Sequence, residues 1–382
     1  MERMYFDHAA TSPIHPEVIE VVYEAMKNHY GNASSIHNFG RDSRRIVDNA
    51  RMVFAKSIGA KPSEIIITSG GTESDNTAII ETALKREQEG KHIITSAVEH
   101  HAVLKPMEYL EKLGFEVTYL PVDKKGQVDP KLVEEALRPD TILVSIMYAN
   151  NEVGTVMDIA KIGAIIAENE STAYFHTDAV QAYGTEDIDV KRDHIDLLSV
   201  SGHKINGPKG IGFLYVNETI HLPSFMLGGE QEKKRRAGTE NIPAIAGLQK
   251  AVEIIQPQRE DRRLKYHELR KQLIEQLNQA NVVFEVNGNP DSQLEHIVSL
   301  WFENVSAEQL LMSLDLSGIA VSSGSACTAG NIDPSHVLIA MYGEKSPIIA
   351  ETIRISFGLG TTSEQISYLA EQLIKVSSRL KK

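Results

Sequence analysis

With 382 residues, 42% of them apolar and 24% charged, the chain has the length of a two-domain protein and the composition of an ordinary globular one. Its net charge of -13 argues against a general binder of nucleic acid or anionic membranes, while leaving room for a local basic patch such as Lys233-Lys234-Arg235-Arg236. A single cysteine, no apolar run long enough to span a bilayer and no signal-peptide pattern over Met1 to Asp7 lead to the expectation of a reducing, cytoplasmic setting.

From Glu64 to Val216, short β-rich runs alternate with helical stretches. The pattern predicts strands over Glu64–Thr68, His92–Ser96, Glu116–Pro121, Ile142–Tyr148, Tyr174–Asp178, Leu197–Ser201 and Gly212–Val216, with helices such as Thr72–Lys85 and Asp158–Asn169 between them. Such alternation implies an α/β domain with a largely parallel sheet, whose ligands gather at the carboxyl ends of the strands. Beyond Arg259 the texture changes. A long amphipathic helix over Arg262–Ala280, a strand His296–Phe302, a helix Ala307–Leu314, strands Ile319–Ser322 and Ile353–Ser356 and a last helix Ser363–Leu380 predict a smaller α+β unit. The boundary is expected near Gln256-Pro257-Gln258, with 16–256 as the large domain and 1–15 plus 257–382 as the small one.

The polar motifs fall at predicted strand ends. In Ile65-Ile66-Ile67-Thr68-Ser69-Gly70-Gly71-Thr72, a β-branched strand runs into two glycines and a helix start. Glycine lets the backbone approach a ligand, and free N–H groups favour an anion; a plain turn capped by Thr72 has the same sequence. His100, in Val98-Glu99-His100-His101, can stack on a flat cofactor or shuttle protons, or simply face solvent. A metal reading of His100-His101 is weak, because adjacent side chains seldom converge on one ion. Asp178, in His176-Thr177-Asp178-Ala179-Val180-Gln181, can pair with a protonated ring nitrogen or serve as a helix N-cap. Lys204, in Ser201-Gly202-His203-Lys204-Ile205-Asn206-Gly207, stands between a strand end and a glycine turn, where a desolvated amine can hold a carbonyl as a Schiff base. A surface lysine in a turn is the alternative. Cys327, among the small residues of Ser322-Ser323-Gly324-Ser325-Ala326-Cys327-Thr328-Ala329-Gly330, has no apolar run to bury it and is a candidate reactive thiol.

Taken in order, these motifs, with Asn150-Asn151-Glu152-Val153-Gly154 and Arg236-Ala237-Gly238-Thr239-Glu240-Asn241, resemble those of the pyridoxal-phosphate-dependent cysteine desulfurases of the NifS and IscS class, within aminotransferase class V. The resemblance runs from Tyr5-Phe6-Asp7-His8-Ala9-Ala10-Thr11 nearly to the last residue. It implies fold type I of the pyridoxal-phosphate enzymes, a homodimer, and pyridoxal 5'-phosphate as cofactor. Lys204 matches the lysine bonded to that cofactor and Asp178 the partner of its ring nitrogen. Gln181 would contact the ring hydroxyl and His100 would stack on the ring. Gly71, Thr72, Ser201 and His203 would hold the phosphate, and Thr239 would reach the partner subunit's phosphate. Asn151 would lie near cofactor and substrate, and Arg354 would clamp the substrate carboxylate, a task that suits a planar guanidinium. Cys327 matches the nucleophile that receives sulfur. Asn32-Ala33-Ser34-Ser35-Ile36-His37 lacks the proline that the family often has after the asparagine, which affects loop stiffness more than chemistry.

The chemistry so implied uses L-cysteine as substrate. Lys204 removes the Cα proton, Cys327 takes the sulfur as a thiolate, alanine leaves, and His100 moves protons at the substrate thiol. The persulfide then passes to an acceptor protein, an iron–sulfur scaffold or a tRNA thiolation enzyme, with no direct contact to nucleic acid. An aminotransferase on the same scaffold would give Cys327 no task, a selenocysteine lyase would differ in substrate, and a non-enzymatic sulfur carrier would leave Lys204 and Asp178 unexplained.

Overall fold

The computed structural model describes residues 3–169, 172–323, 327–328, 331–332 and 334–381, and at 327–328 and 331–332 the backbone alone. Its strands in chain order are β1 (Met4–Tyr5), β2 (Ile65–Thr68), β3 (His92–Ser96), β4 (Glu116–Leu120), β5 (Thr141–Ser145), β6 (Tyr174–Asp178), β7 (Leu197–Ser201), β8 (Gly212–Val216), β9 (Phe284–Asn287), β10 (Ile297–Phe302), β11 (Ile319–Ala320), β12 (Cys327–Thr328), β13 (Asn331–Ile332) and β14 (Thr352–Ser356). One sheet takes β2 to β8 in the order β2-β8-β7-β6-β5-β3-β4. Its neighbours pair in parallel except β8, which runs antiparallel to both β7 and β2. The carboxyl ends of the other six strands therefore share one edge. The strand order reverses direction between β3 and β5, the kind of switch point at which a crevice opens.

The strands of this sheet read as near-continuous apolar runs because helices cover both faces. Ile65-Ile66-Ile67, Ile142-Leu143-Val144 and Leu197-Leu198 are buried throughout. On one face Phe54 stacks on Phe213 with ring centroids 5.1 Å apart. On the other, Ile79, Val103 and Met107 pack against Ile66, Ile93 and Leu214. Each such side chain, fully buried, contributes roughly 1.5–3 kcal/mol. A second core belongs to the C-terminal part. There the helix Arg259–Gln279 buries Tyr266, Leu269, Leu273 and Leu277, spaced by three and four residues, against the antiparallel sheet β14-β10-β9 and the helix Ser363–Leu380. The two units interlock: Phe6 packs in the second core and Ala9 in the first, while Leu338 and Met341 also join the first.

Several elements depart from expectation. The helix expected over Thr72–Lys85 is α-helical over Gly71–Asn76, a π-turn over Thr77–Glu81 and α-helical again over Thr82–Arg86. Ser74, Asn76 and Thr77 each bond back to the carbonyl four residues earlier, at 3.1, 2.8 and 2.7 Å, and such side-chain competition loosens the regular ladder. The strand expected over Ile142–Tyr148 ends at Ser145, although Ile146 and Tyr148 still donate to the His176 and Asp178 carbonyls. Strand Ile319–Ser322 shortens to β11, and Ser322 instead exchanges backbone bonds with Arg354. β9 and the helices Pro16–Asn28 and Asn38–Lys56 fall outside the expected elements. Half of the basic cluster turns inward: Arg235 donates to the Ser63 and Ile65 carbonyls, and Arg236 pairs with Glu73 at 2.8 Å.

Candidate active site

Most of the functional side chains stand where a strand of the parallel set runs out. β7 ends at Ser201 and passes into a tight turn over Gly202–Lys204. β6 ends on Asp178. β2 leads through Ser69 to Gly70, whose φ of 145° is a conformation closed to residues with a Cβ, and the helix then starts at Gly71. β3 leads to His100, which caps the helix His101–Lys112 through its ring: Nδ1 accepts from the Ala102 N–H at 3.0 Å. These ends surround a cavity of about 1020 Å³, and Arg354 of β14 and Ser322-Ser323 close it from the C-terminal unit. Gly71, Thr72, His100, Asn151 and Asp178 line it, as do Gln181, Ser201, His203 and Lys204.

Lys204 is held by the N-terminal segment. Its Nζ donates to the Ala9 carbonyl and, at 2.9 Å, to that of Ala10. Gln181 donates to the same Ala9 carbonyl at 2.9 Å. Burial, assisted by the nearby Arg354 charge, brings the Lys204 amine down to about 8, against the pull of Asp178 and Asp7. An amine poised there exists in quantity as the free base near neutral pH, which is what a nucleophile or a proton acceptor needs.

Asp178 accepts from the Val180 N–H at 2.9 Å. Burial raises its carboxyl to about 6, moderated by that bond and by Lys204. Asp75 and Glu99 are buried in its field. Glu99 accepts at one oxygen from Ser96 Oγ at 2.6 Å and from the Met147 N–H at 2.9 Å, and burial raises it to about 8. Asp75 is raised well above the carboxylate range by burial and then by the Asp178 charge. Burial thus lifts all three acids toward their neutral forms, and Glu99, at about 8, is largely protonated near neutral pH. His176, 3.5 Å from Asp75, is brought down to about 3 by burial and stays neutral.

His100 and His203 are each brought down to about 4, by burial first and then by the Lys204 charge. Both are neutral rings at physiological pH. Arg354 is buried with its two terminal nitrogens engaged, on the Asn151 carbonyl at 2.9 Å and on Asp7 Oδ1 at 2.8 Å, while Nε has no partner among the described residues.

Two sequence-predicted residues lie apart. Thr239 is exposed and outside the cavity lining. Cys327 begins β12, which pairs antiparallel with β13, and its side chain lies outside the described residues. Asp7, Asp75, Glu99 and Lys209 were not among the expected site residues, yet Asp7 anchors Arg354, Asp75 and Glu99 share the field of Asp178, and Lys209 adds a cation to the cavity wall. Their signal in the sequence is faint: Asp7 and Glu99 lie inside the quoted motifs, and Asp75 and Lys209 a few residues beyond them, with no spacing that singles them out. No cluster of three metal-ligating side chains occurs among the described residues.

The donor set fits pyridoxal phosphate. Hydroxyls of Thr72 and Ser201, a neutral His203 and the turn at Gly70-Gly71 form a polar, anion-ready end. A carboxylate at Asp178 suits a protonated ring nitrogen, a flat neutral ring at His100 suits stacking, and the Lys204 amine lines the same cavity.

Comparison with known proteins supplies the family. The aminotransferase class-V family model matches residues 4–369. Over 380 residues the chain is 55% identical to the putative cysteine desulfurase IscS 1 of Bacillus subtilis (strain 168), with 100% of each covered. It is 46% identical to the cysteine desulfurase IscS of Methanosarcina thermophila, covering 99% of this chain and 93% of that one. Among solved structures, a NifS-like protein superposes with a TM-score of 0.92 at 34% identity, covering 99% of this chain and 100% of that one. A structure described as SspA in complex with cysteine gives 0.82 at 38% identity, covering 93% and 98%.

Proposed function

Since the chain belongs to the aminotransferase class-V family, and to the pyridoxal-phosphate-dependent cysteine desulfurases within it, we propose that it leaves L-alanine from L-cysteine and holds the released sulfur as a persulfide on Cys327. The observation that carries this reading is the convergence of Lys204, Asp178, His100, Thr72, Ser201, His203 and Arg354 on one cavity. When bound, the cofactor supplies an electron sink for the pair left at Cα.

The residues divide the remaining work. Thr72, Ser201, His203 and the Gly71 backbone would hold the phosphate. Asp178 would supply the negative charge for the ring nitrogen, and Gln181 would contact the ring hydroxyl. His100 would stack on the ring and, being neutral, accept or give a proton at the substrate thiol. Arg354, held by Asp7 and the Asn151 carbonyl in the cavity wall, supplies the positive charge for the substrate carboxylate. Lys204, as free base, takes the Cα proton. Sulfur leaves Cβ and joins the Cys327 thiolate, so carbon gains the electron pair of the broken C–S bond and the thiolate supplies the pair of the new S–S bond. Val321, Ser322 and Ser323 line the cavity, so the chain that carries Cys327 departs from its rim.

The same reading extends to partners. Exposure of Thr239 supports a role across a homodimer interface, on the second subunit's phosphate. A Cys327 segment with small residues on both sides supports direct delivery to acceptor proteins, such as an iron–sulfur scaffold or a tRNA thiolation enzyme, and one cysteine in the chain fits a reducing cytoplasm. The test supplies the purified enzyme with L-cysteine and follows free alanine together with added sulfur on Cys327 by mass spectrometry. Alanine and a sulfur adduct on Cys327 are expected, both absent in Lys204→Ala. An oxo acid with no adduct would point to transamination and end this reading.

A further inference from the structure

Lys204 and Gln181 line a second, much smaller compartment of about 30 Å³. No other lining residue is common to it and the main cavity. Its wall includes Ser12, Arg262, Tyr266, His8 and His296, and no carboxylate. The two histidines are 7% and 9% exposed, and Nδ1 of each has no hydrogen-bond partner among the described residues. Two buried ring nitrogens without partners, on histidines that line a space of this size, meet the requirements of an ordered internal water.

The compartment also has an outer neighbour. His8 and Ser12 line a depression of about 550 Å³ together with the exposed Arg3, Lys209 and Gly360. His8 thus stands between the surface and the space behind Lys204. Its place depends on Gly358, where a Cβ would come within 1.9 Å of the ring Nδ1. Burial, with the Arg262 charge and against a backbone bond to Tyr5, holds His8 down at about 4, and burial with the charges of Arg262, Lys204 and Arg354 holds His296 at about 3. Both rings are neutral, with one nitrogen to accept and one to donate.

We propose that this compartment is an internal hydration site, one or two waters held by His8 and His296, through which protons pass between the outer depression and Lys204. The relay rests on the reading of Lys204 as the base. The water passes the proton, taking one up as it gives another away, while His8 fixes that water with a hydrogen bond, so no electrons change hands. His8 is a positioning residue rather than one that touches substrate.

A high-resolution crystal structure of the cofactor-loaded enzyme should show water within hydrogen-bond distance of both Nδ1 atoms. Exchange of the Cα hydrogen of L-alanine with D₂O, followed by NMR, should slow about tenfold in His8→Leu and stay within about threefold of wild type in His8→Asn, which keeps a polar atom there. Cofactor absorbance should be unchanged in both. A dry compartment, wild-type exchange in His8→Leu, or equal slowing in both variants overturns the relay alone. Wild-type enzyme that binds cofactor but exchanges no Cα hydrogen overturns the reading of Lys204 and the relay with it.

Discussion

Arg51 and Glu232 are buried as a two-pronged ion pair, at 2.7 and 2.6 Å, whereas Asp75, Glu99 and Asp178 are buried within one another's field. The first cluster offsets desolvation with opposite charge. Glu232 also accepts from the Ile67 N–H at 3.0 Å, and Arg51 donates to the Ile65 carbonyl, so the pair fastens the segment around Glu232 to β2. That segment needs fastening: Glu232, Lys233 and Lys234 all have positive φ, between 49° and 69°, which side chains disfavour. The second cluster has one nearby amine and three acids, and burial raises all three instead of pairing them off. Pairing yields a structural clamp, while crowding of like groups yields a site that responds to the charge of whatever enters it.

Substitutions can separate the two. Asp178→Ala should lower desulfurase turnover by about two to four orders of magnitude in a steady-state assay, with little loss of folding stability, because it removes a buried carboxylate that burial already disfavours. Arg51→Ala should do the reverse. Stability in urea should fall by about 3–5 kcal/mol, since Glu232 is left buried and unpaired, while turnover per folded molecule is largely kept. Equal losses of both properties in both variants would break the distinction.

The pH dependence sharpens it further. Glu99 has a folded value raised to about 8 from an ordinary 4.5. The stability associated with its protonated form is therefore fully present below about 4.5 and is lost as pH rises through about 8. Glu99→Gln keeps the acceptor for Ser96 and Met147 and cannot ionise, so its stability relative to wild type should rise as pH climbs from about 4.5 to about 8 and level off above that, as read from thermal unfolding across that range. The Lys204 amine should acylate in the cofactor-free enzyme with a midpoint near pH 8 rather than 10.5, rising with pH as the free base appears. At the other extreme, Lys105→Ala removes an exposed pair with Glu108 at 2.7 Å and should cost no more than about 0.5 kcal/mol.

Much of the catalytic set was legible because it lies in short local motifs. A strand that stops at Gly-Gly-Thr, at His-Thr-Asp or at Ser-Gly-His-Lys announces its polar end within a few residues, and β3, β6, β7 and β8 begin and end where alternation and β-branching place them. The basic cluster misled as a surface patch, because the partners of Arg235 and Arg236 lie some 160 residues or more away in sequence. Asp7 escaped for the same reason: its meaning is its bond to Arg354, 347 residues later. His8 and His296, unremarkable in their own neighbourhoods, share one small compartment.

Residue types within short motifs were sufficient to nominate the amine, the acid, the glycine turn and the thiol, and the order of those motifs along the chain joined them in one resemblance. Folding alone settled which acids lose their charge, what steadies the arginine and what stands behind the lysine. Those properties come from desolvation and from Coulomb fields between groups far apart along the chain, and a linear pattern carries neither.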